Sequence, residues 1–292
     1  MKQVLQYILN HPLNNNRKLQ AACKFFIWQL KSRLWNKPYI HQFTSKSKLI
    51  VKRGMTGATG NLYCGLHEFE DMAFLLHFLR PEDNFIDVGA NIGSYTILAS
   101  AHCKANTISV EPVPSTYYWL KKNIEINALR EKVQLLNCAV TKSFENLKFT
   151  KTHDTTNHVA ISSDGLSEVI DAEGILLNKI CQNVSPDLMK IDVEGFETNV
   201  IMGGRKTLGN SKLKCIIIEL NGCGERYGFN DAFIHTSLME YGFSPYTYNP
   251  FNRKLEALET YGSNNTIYIR DLDFVQSRLT GSEKLNMHGL QF

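Results

Sequence analysis

Acidic residues are missing from the first 67 positions of this 292-residue chain; the first is Glu68. Eleven of the 32 Lys and Arg residues fall within residues 1–53, which leaves 21 basic against all 28 acidic residues beyond, a net charge of −7 there. A basic head on an acidic body points to an anionic surface such as lipid headgroups or nucleic acid. The plainer alternative is a solvated basic helix docked on the acidic body. Metal-type cysteine spacing is also lacking. The seven cysteines (Cys23, Cys64, Cys103, Cys138, Cys181, Cys215 and Cys223) are odd in number and none forms a CxxC pair. That excludes a zinc ribbon or a disulfide framework. Most lie in apolar runs, where a thiol acts as a small hydrophobe, and a reducing compartment fits them. No run approaches the ~20 apolar residues of a membrane span. The opening MKQVLQYILN is broken by Gln3 and Gln6, and AACKFFIWQL contains Lys24, so neither a signal peptide nor a span is expected. The expected location is cytoplasmic, with association at a membrane surface as a further reading. Internal repeats and low-complexity stretches are absent, and 43% hydrophobic with 21% charged residues excludes a disordered chain.

What is present is an alternation of apolar strands and amphipathic helices. HPLNNNRK (11–18) reads as a break between two helical segments. The segment after it places Leu19, Cys23, Phe26, Leu30 and Leu34 at helical spacing, with Trp28, Trp35, Arg17, Lys24 and Lys31 around them. Such a stripe more often meets a core, although a basic, aromatic helix of this kind also suits peripheral membrane contact through residues 17–37. Residues 48–54 suggest a strand and 67–80 a helix stopped by Pro81. From there strands at 85–89, 106–111, 132–140, 186–195 and 213–221 alternate with helices at 93–103, 113–129 and 197–209. Residues 141–172 interrupt this with short polar pieces. A helix at 230–241 and strands at 243–248 and 265–270 close the pattern. The expected architecture is a Rossmann-like α/β sheet, mostly parallel with an antiparallel edge strand and helices on both faces. Its expected division is a basic helical segment at 1–56, one α/β domain at 57–272 and a tail at 273–292.

Three strand ends carry the chemistry. The first closes in IDVGANIGSYT, placing Asp87, Gly89, Ala90, Asn91 and Gly93 in a turn before a helix. Glycines there allow a sharp turn and close approach of a ligand, and the positive helix end suits a carboxylate. Asp87 would face an ammonium of the same ligand. A nicotinamide dinucleotide site wants glycine at 91 and 94, where this chain has Asn91 and Ser94. The second strand ends at Glu111, placed to accept two ribose hydroxyls. The third ends near Asn137, Cys138 and Ala139, beside an adenine. The fourth, DLMKIDVEGFE, brings Lys190, Asp192 and Glu194 to the crevice end of the sheet, where unpaired charge is costly.

FIDVGANIGSYT, VEPVPSTYYWLKKNIEIN, MKIDVEGFETNVIMGG and IIIELNG together resemble the FkbM-type family of S-adenosylmethionine (SAM)-dependent methyltransferases, over roughly residues 57–270. KIDVEGFE is the most specific element. The resemblance implies methyl transfer from SAM to a hydroxyl of a sugar, glycan, glycolipid or related natural product. It implies cofactor contacts at Asp87, Gly89, Asn91 and Gly93, a ribose contact at Glu111, and Asp192 nearest the reacting methyl. Asp192 is the expected general base, with Glu194 or His158, from the 141–172 insert, as alternates. Asp192, Glu219 and Asn221 are the candidate ligands for Mg²⁺, although a metal-free site is expected. Nucleic acid is not expected as a partner, since no nucleic-acid motif is present. A nicotinamide-dependent oxidoreductase and a catalytically silent membrane-binding module are the rival readings.

Overall fold

The computed structural model describes residues 1–35, 37–150, 157–161, 164 and 168–292. Helices α1 (Lys2–Asn10) and α2 (Lys18–Leu34) precede a hairpin of β1 (Tyr39–Thr44) and β2 (Ser47–Val51), and α3 (Thr56–Cys64) and α4 (Phe69–Phe78) follow. The alternating region runs β3 (Asn84–Val88), α5 (Ser94–Ile97), β4 (Asn106–Val110), α6 (Pro114–Ile126) and β5 (Val133–Leu136). The insert holds β6 (Ala139–Thr141), β7 (Glu145–Thr150), β8 (Val169–Leu176) and the short α7 (Leu177–Ile180). Then come β9 (Leu188–Ile191), α8 (Glu197–Gly203), α9 (Arg205–Leu208), β10 (Cys215–Glu219), α10 (Asp231–Glu240), β11 (Ser244–Asn249), β12 (Lys254–Ala257), β13 (Asn265–Ile269) and α11 (Leu272–Thr280).

Eight strands form the main sheet in the order β12-β11-β13-β10-β9-β3-β4-β5. β10, β9, β3, β4 and β5 are mutually parallel. β13 is wedged antiparallel between β10 and β11, and β12 makes an antiparallel edge on β11. This is the Rossmann-like class I methyltransferase sheet. Strand periodicity divides the core between its two faces. Phe85, Leu188, Cys215, Ile217 and Ile269 pack with α4 and α11 residues such as Phe74 and Val275. Ile86, Val88, Met189, Ile191, Ile216 and Ile218 pack with Val200, Leu208 and Leu238 on the other face. Lys190 therefore shares the first face.

Three expected elements break where side chains demand it. The 132–140 strand stops at Leu136, because the Asn137 amide turns to donate to the carbonyls of Glu111 and Pro112 at 2.8 and 3.0 Å. The chain re-enters as β6 in a separate sheet ordered β6-β8-β7. The 197–209 helix breaks at Gly203–Gly204, where a Cβ on Gly203 would lie 2.0 Å from the Thr141 carbonyl oxygen. The 93–103 helix loosens into a π-type turn over Leu98–His102. Parts of the 141–172 insert (151–156, 162–163 and 165–167) lie outside the described residues.

The N-terminal helices dock on the core through Ile8, Leu13, Ala21 and Phe25. The stripe of Leu19, Cys23, Phe26, Leu30 and Leu34, for which core contact was the more ordinary expectation, instead faces solvent. The hairpin edge is satisfied by α6, whose Asn123 and Asn127 accept from the backbone N–H groups of Ile50 and Lys48 at 2.7 and 2.8 Å. At the other end Arg278 of α11 reaches Asp83, just ahead of β3, at 2.5 Å. All seven cysteines are free thiols.

Candidate active site

A cleft opens at the carboxyl ends of β3, β4, β9 and β10, the usual ligand crevice of an open α/β sheet. One end is the turn after β3. Gly89 (φ +80°) and Gly93 (φ +91°) occupy the left-handed region that favours glycine. The tight neighbour at Gly89 is protein: a Cβ there would sit 1.8 Å from the Asp192 carbonyl oxygen, and one at Gly93 would sit 2.5 Å from Leu120 Cδ1. The N–H groups of Gly89 and Ala90 both donate to the Val110 carbonyl, and that of Asn91 to Glu111 Oε2 at 3.0 Å. Asp87 is buried and accepts from the N–H and hydroxyl of Thr96 through Oδ2, at 3.0 and 2.6 Å. Burial lifts its carboxyl to about 6 against those hydrogen bonds.

Glu111 is buried, and burial raises it to about 7. Its two oxygens accept from the N–H groups of Asn91 and Val113. A carboxylate has about four acceptor positions, so two remain open to hydroxyl groups of a ligand. Cys138, Ala139 and Val140 form the wall beyond it. Burial keeps the Cys138 thiol protonated, at about 11.

The other end of the cleft is acidic. Lys190 is almost fully buried; its ammonium lies 2.7 Å from Asp192 Oδ2 and 4.8 Å from the centre of the Tyr95 ring. Burial works against its charge, but the carboxylates of Asp192 and Glu68 outweigh it and hold the group protonated. Oxygens of Asp192, Glu194 and Glu219 lie within 4.8 Å of one another. Glu194 sits in a left-handed turn (φ +56°) rather than on the strand. That turn is tied by Glu197, whose Oε1 accepts from the N–H groups of Val193 and Gly195 at 3.0 and 3.2 Å. Burial, reinforced by Asp192, raises Glu194 to about 7 and Glu219 to about 9. Glu219 Oε2 is buried without a hydrogen-bond partner. Three carboxylates suit a hard divalent cation, but Lys190 already places a full positive charge on Asp192.

Two of the alternate residues fall elsewhere. Asn221 caps its own loop, accepting from the Cys223 N–H at 2.9 Å, and lies off the cleft; Glu194 takes its place beside Asp192 and Glu219. His158 is buried off the cleft, with Nε2 3.3 Å from Asp164; Asn157 and Phe149 line the cleft in that region. Sequence reasoning missed the wall ahead of β3, formed by Thr56, Asn61, His67, Glu68 and Met72 with Tyr95. Asn265 of β13 holds it in place, donating to Glu68 at 2.8 Å and Asp71 at 2.9 Å. The available signal was three acids, Glu68, Glu70 and Asp71, clustered at the start of the mostly apolar α4.

The chain is 26% identical over 155 residues to the hexuronic acid methyltransferase AglP of Haloferax volcanii, covering 53% of this chain and 62% of that protein. It is 26% identical over 148 residues to Methyltransferase 1 of Beauveria bassiana, covering 42% and 59%. The chain thus spans about six-tenths of the length of these curated relatives. Among solved structures, precorrin-6y C5,15-methyltransferase of Geobacter metallireducens GS-15 aligns at a TM-score of 0.40 and 14% identity, over 70% of this chain and 88% of that one. The family model for the methyltransferase FkbM domain matches residues 87–245, more than half of the chain and all of the cleft's strand ends, and the chain belongs to that family.

Proposed function

We propose that this protein transfers a methyl group from SAM to a hydroxyl of a sugar, glycan or related acceptor, with Asp192 as general base. The observation that carries the reading is the cleft itself. It joins a buried carboxylate with spare acceptor capacity, Glu111, to a cluster of carboxylates around Lys190. When bound, SAM supplies the methyl on a sulfonium leaving group. The acidic end favours that positive charge. The protein's task is alignment of the acceptor oxygen with the methyl carbon. As the O–C bond forms and the C–S bond breaks, the hydroxyl proton passes to Asp192. Lys190 donates to Asp192 Oδ2, which fixes the carboxylate and leaves Oδ1 for the acceptor. Glu194, beside it, supplies a second acceptor for a sugar hydroxyl.

A named sugar-acid methyltransferase among the relatives supports a sugar acceptor. The wall of Glu68, Glu194 and Glu219 offers hydrogen-bonding carboxyl groups and no cation for an acceptor carboxylate, which favours neutral, hydroxyl-rich rings. The test is calorimetric titration with SAM and S-adenosylhomocysteine, beside Glu111→Ala, followed by assay of S-adenosylhomocysteine release on neutral glycosides and their uronic acid counterparts. Binding that Glu111→Ala abolishes, with turnover on neutral glycosides, is the expected result. If the intact protein binds neither compound, the proposal fails. Turnover confined to uronic acids would overturn only the acceptor assignment.

A further inference from the structure

α2 carries two apolar stripes on opposite sides. Ala21, Phe25 and Ser32 are buried against the core, with Trp28 partly so, and Phe25 meets the Tyr63 ring edge-on at 5.4 Å. Half a turn round, Leu19, Leu30 and Leu34 are 85%, 62% and 64% exposed, and Phe26 and Ile27 lie between them. Trp35 at the helix end, and Tyr39 and Ile40 opening β1, extend this surface. At 1.5 Å per residue the helix presents about 25 Å of continuous apolar face. A shallow apolar pocket beside it is lined by Ile27, Trp28, Trp35, Pro38 and Leu62 and rimmed by Lys24 and Lys31.

The charge around this face is one-sided. The eleven Lys and Arg of residues 1–53 have no acid in their own segment. Among the described residues none of the eleven is in an ion pair. The segment is therefore not docked on the acidic body through its charges. Its apolar inner stripe does that, and the cations remain available to an outside partner.

We propose that α2 and the start of β1 form a docking face for an anionic lipid bilayer, with Leu19, Phe26, Leu30, Leu34 and Trp35 entering the headgroup layer and the basic residues meeting lipid phosphates. An interfacial helix needs an apolar face, flanking cations and aromatic residues at the boundary, and α2 has all three. No described helix is long and apolar enough to cross a membrane, so the contact is with the surface. A second copy of the chain is the poorer occupant: a two-fold contact would set each basic segment against its twin. α3 connects the face to the chemistry. Its Leu62 lines the apolar pocket, whereas Thr56, Gly57 and Asn61 line the cleft. Docking would bring the cleft near acceptors carried on lipid.

The test is co-sedimentation of the full chain with phosphatidylcholine vesicles, with and without phosphatidylglycerol, beside the double variant Leu30→Glu/Leu34→Glu. Each basic residue near an anionic surface contributes about fivefold in partitioning. Binding to the anionic vesicles is expected to exceed that to neutral ones at least about tenfold and to weaken in high salt. The double variant should lose it while keeping its melting temperature, because both side chains already face solvent. A blue shift of tryptophan emission on vesicle addition that Trp35→Phe removes would place Trp35 in the lipid. Equal binding by the variant, or none by the intact chain, overturns the proposal. So does a dimer in light scattering that the double variant converts to monomer, since the face would then be a self-interface.

Discussion

The Lys190 ammonium and the Asp192 carboxylate, 2.7 Å apart, form an ion pair at the end of the fourth parallel strand, and the Tyr95 ring covers the lysine. The pair is asymmetric: the lysine side chain is 3% exposed and the aspartate 28%. The cation is fixed by the fold and the carboxylate faces the cleft.

Asp192→Asn keeps the shape and removes the proton acceptor. A positioned base contributes about 10²- to 10⁴-fold. We expect kcat to fall by about that factor, with SAM affinity changed less than about threefold, measured by steady-state kinetics and calorimetry. Lys190→Met should lower kcat by about tenfold or more, because Asp192 loses the charge-assisted hydrogen bond that fixes its carboxylate. EDTA should leave activity unchanged. Loss on chelation, restored by Mg²⁺, would make Asp192, Glu194 and Glu219 metal ligands instead.

The raised carboxyls should lose their contribution to stability as pH rises from the ordinary carboxylate range to about 7, and Glu219 on to about 9. Asp71, Glu111, Glu194 and Glu197 are raised to about 7 and Glu219 to about 9, each chiefly by burial. A carboxyl raised in the folded state stabilises the fold below its unfolded value, and that contribution is lost as pH climbs through the folded one. Histidines set the other limit. Burial lowers His11, His41, His102 and His288 to about 4 and His77 to about 3, so their contribution is lost as pH falls below 6.5. The two sets oppose each other below 6.5, so the melting temperature without ligand should fall chiefly above it, and Glu219→Gln should flatten that alkaline side. An unchanged alkaline slope in that variant would remove Glu219 from the account.

Gly89→Ala should cost more than Gly93→Ala. Both positions carry positive φ, but the new methyl meets the rigid Asp192 carbonyl at 89 and a movable Leu120 side chain at 93. Losses of about 3 kcal/mol or more and about 1–2 kcal/mol, by chemical denaturation, are expected.

The parallel strands were legible because β3, β9 and β10 are buried on both faces and read as nearly unbroken apolar runs. β12 was not: KLEA is a polar, largely exposed edge strand. The wedging of β13 between β10 and β11 is a pairing choice that no local pattern encodes, although its buried TIYI marks it as interior. In the site, Glu111 and Asp192 were visible as acids ending apolar strands. Glu68 and Tyr95 come from segments outside the strand ends and reach the cleft only through packing. His158 lies in a loop whose path depends on the insert's own small sheet, so its residue type alone misdirected the reading. The stripe on α2 had the right period, but period alone does not say which of two apolar faces meets the core.

The carbonyl of Asp192 rests against the bare α-carbon of Gly89. The register between the cofactor turn and the proposed base is thus set by main chain against main chain, with no rotamer between them. The cleft wall at Phe149 of β7 makes no contribution to that register. That wall is free to diverge in sequence without displacing the turn after β3 or the proposed base.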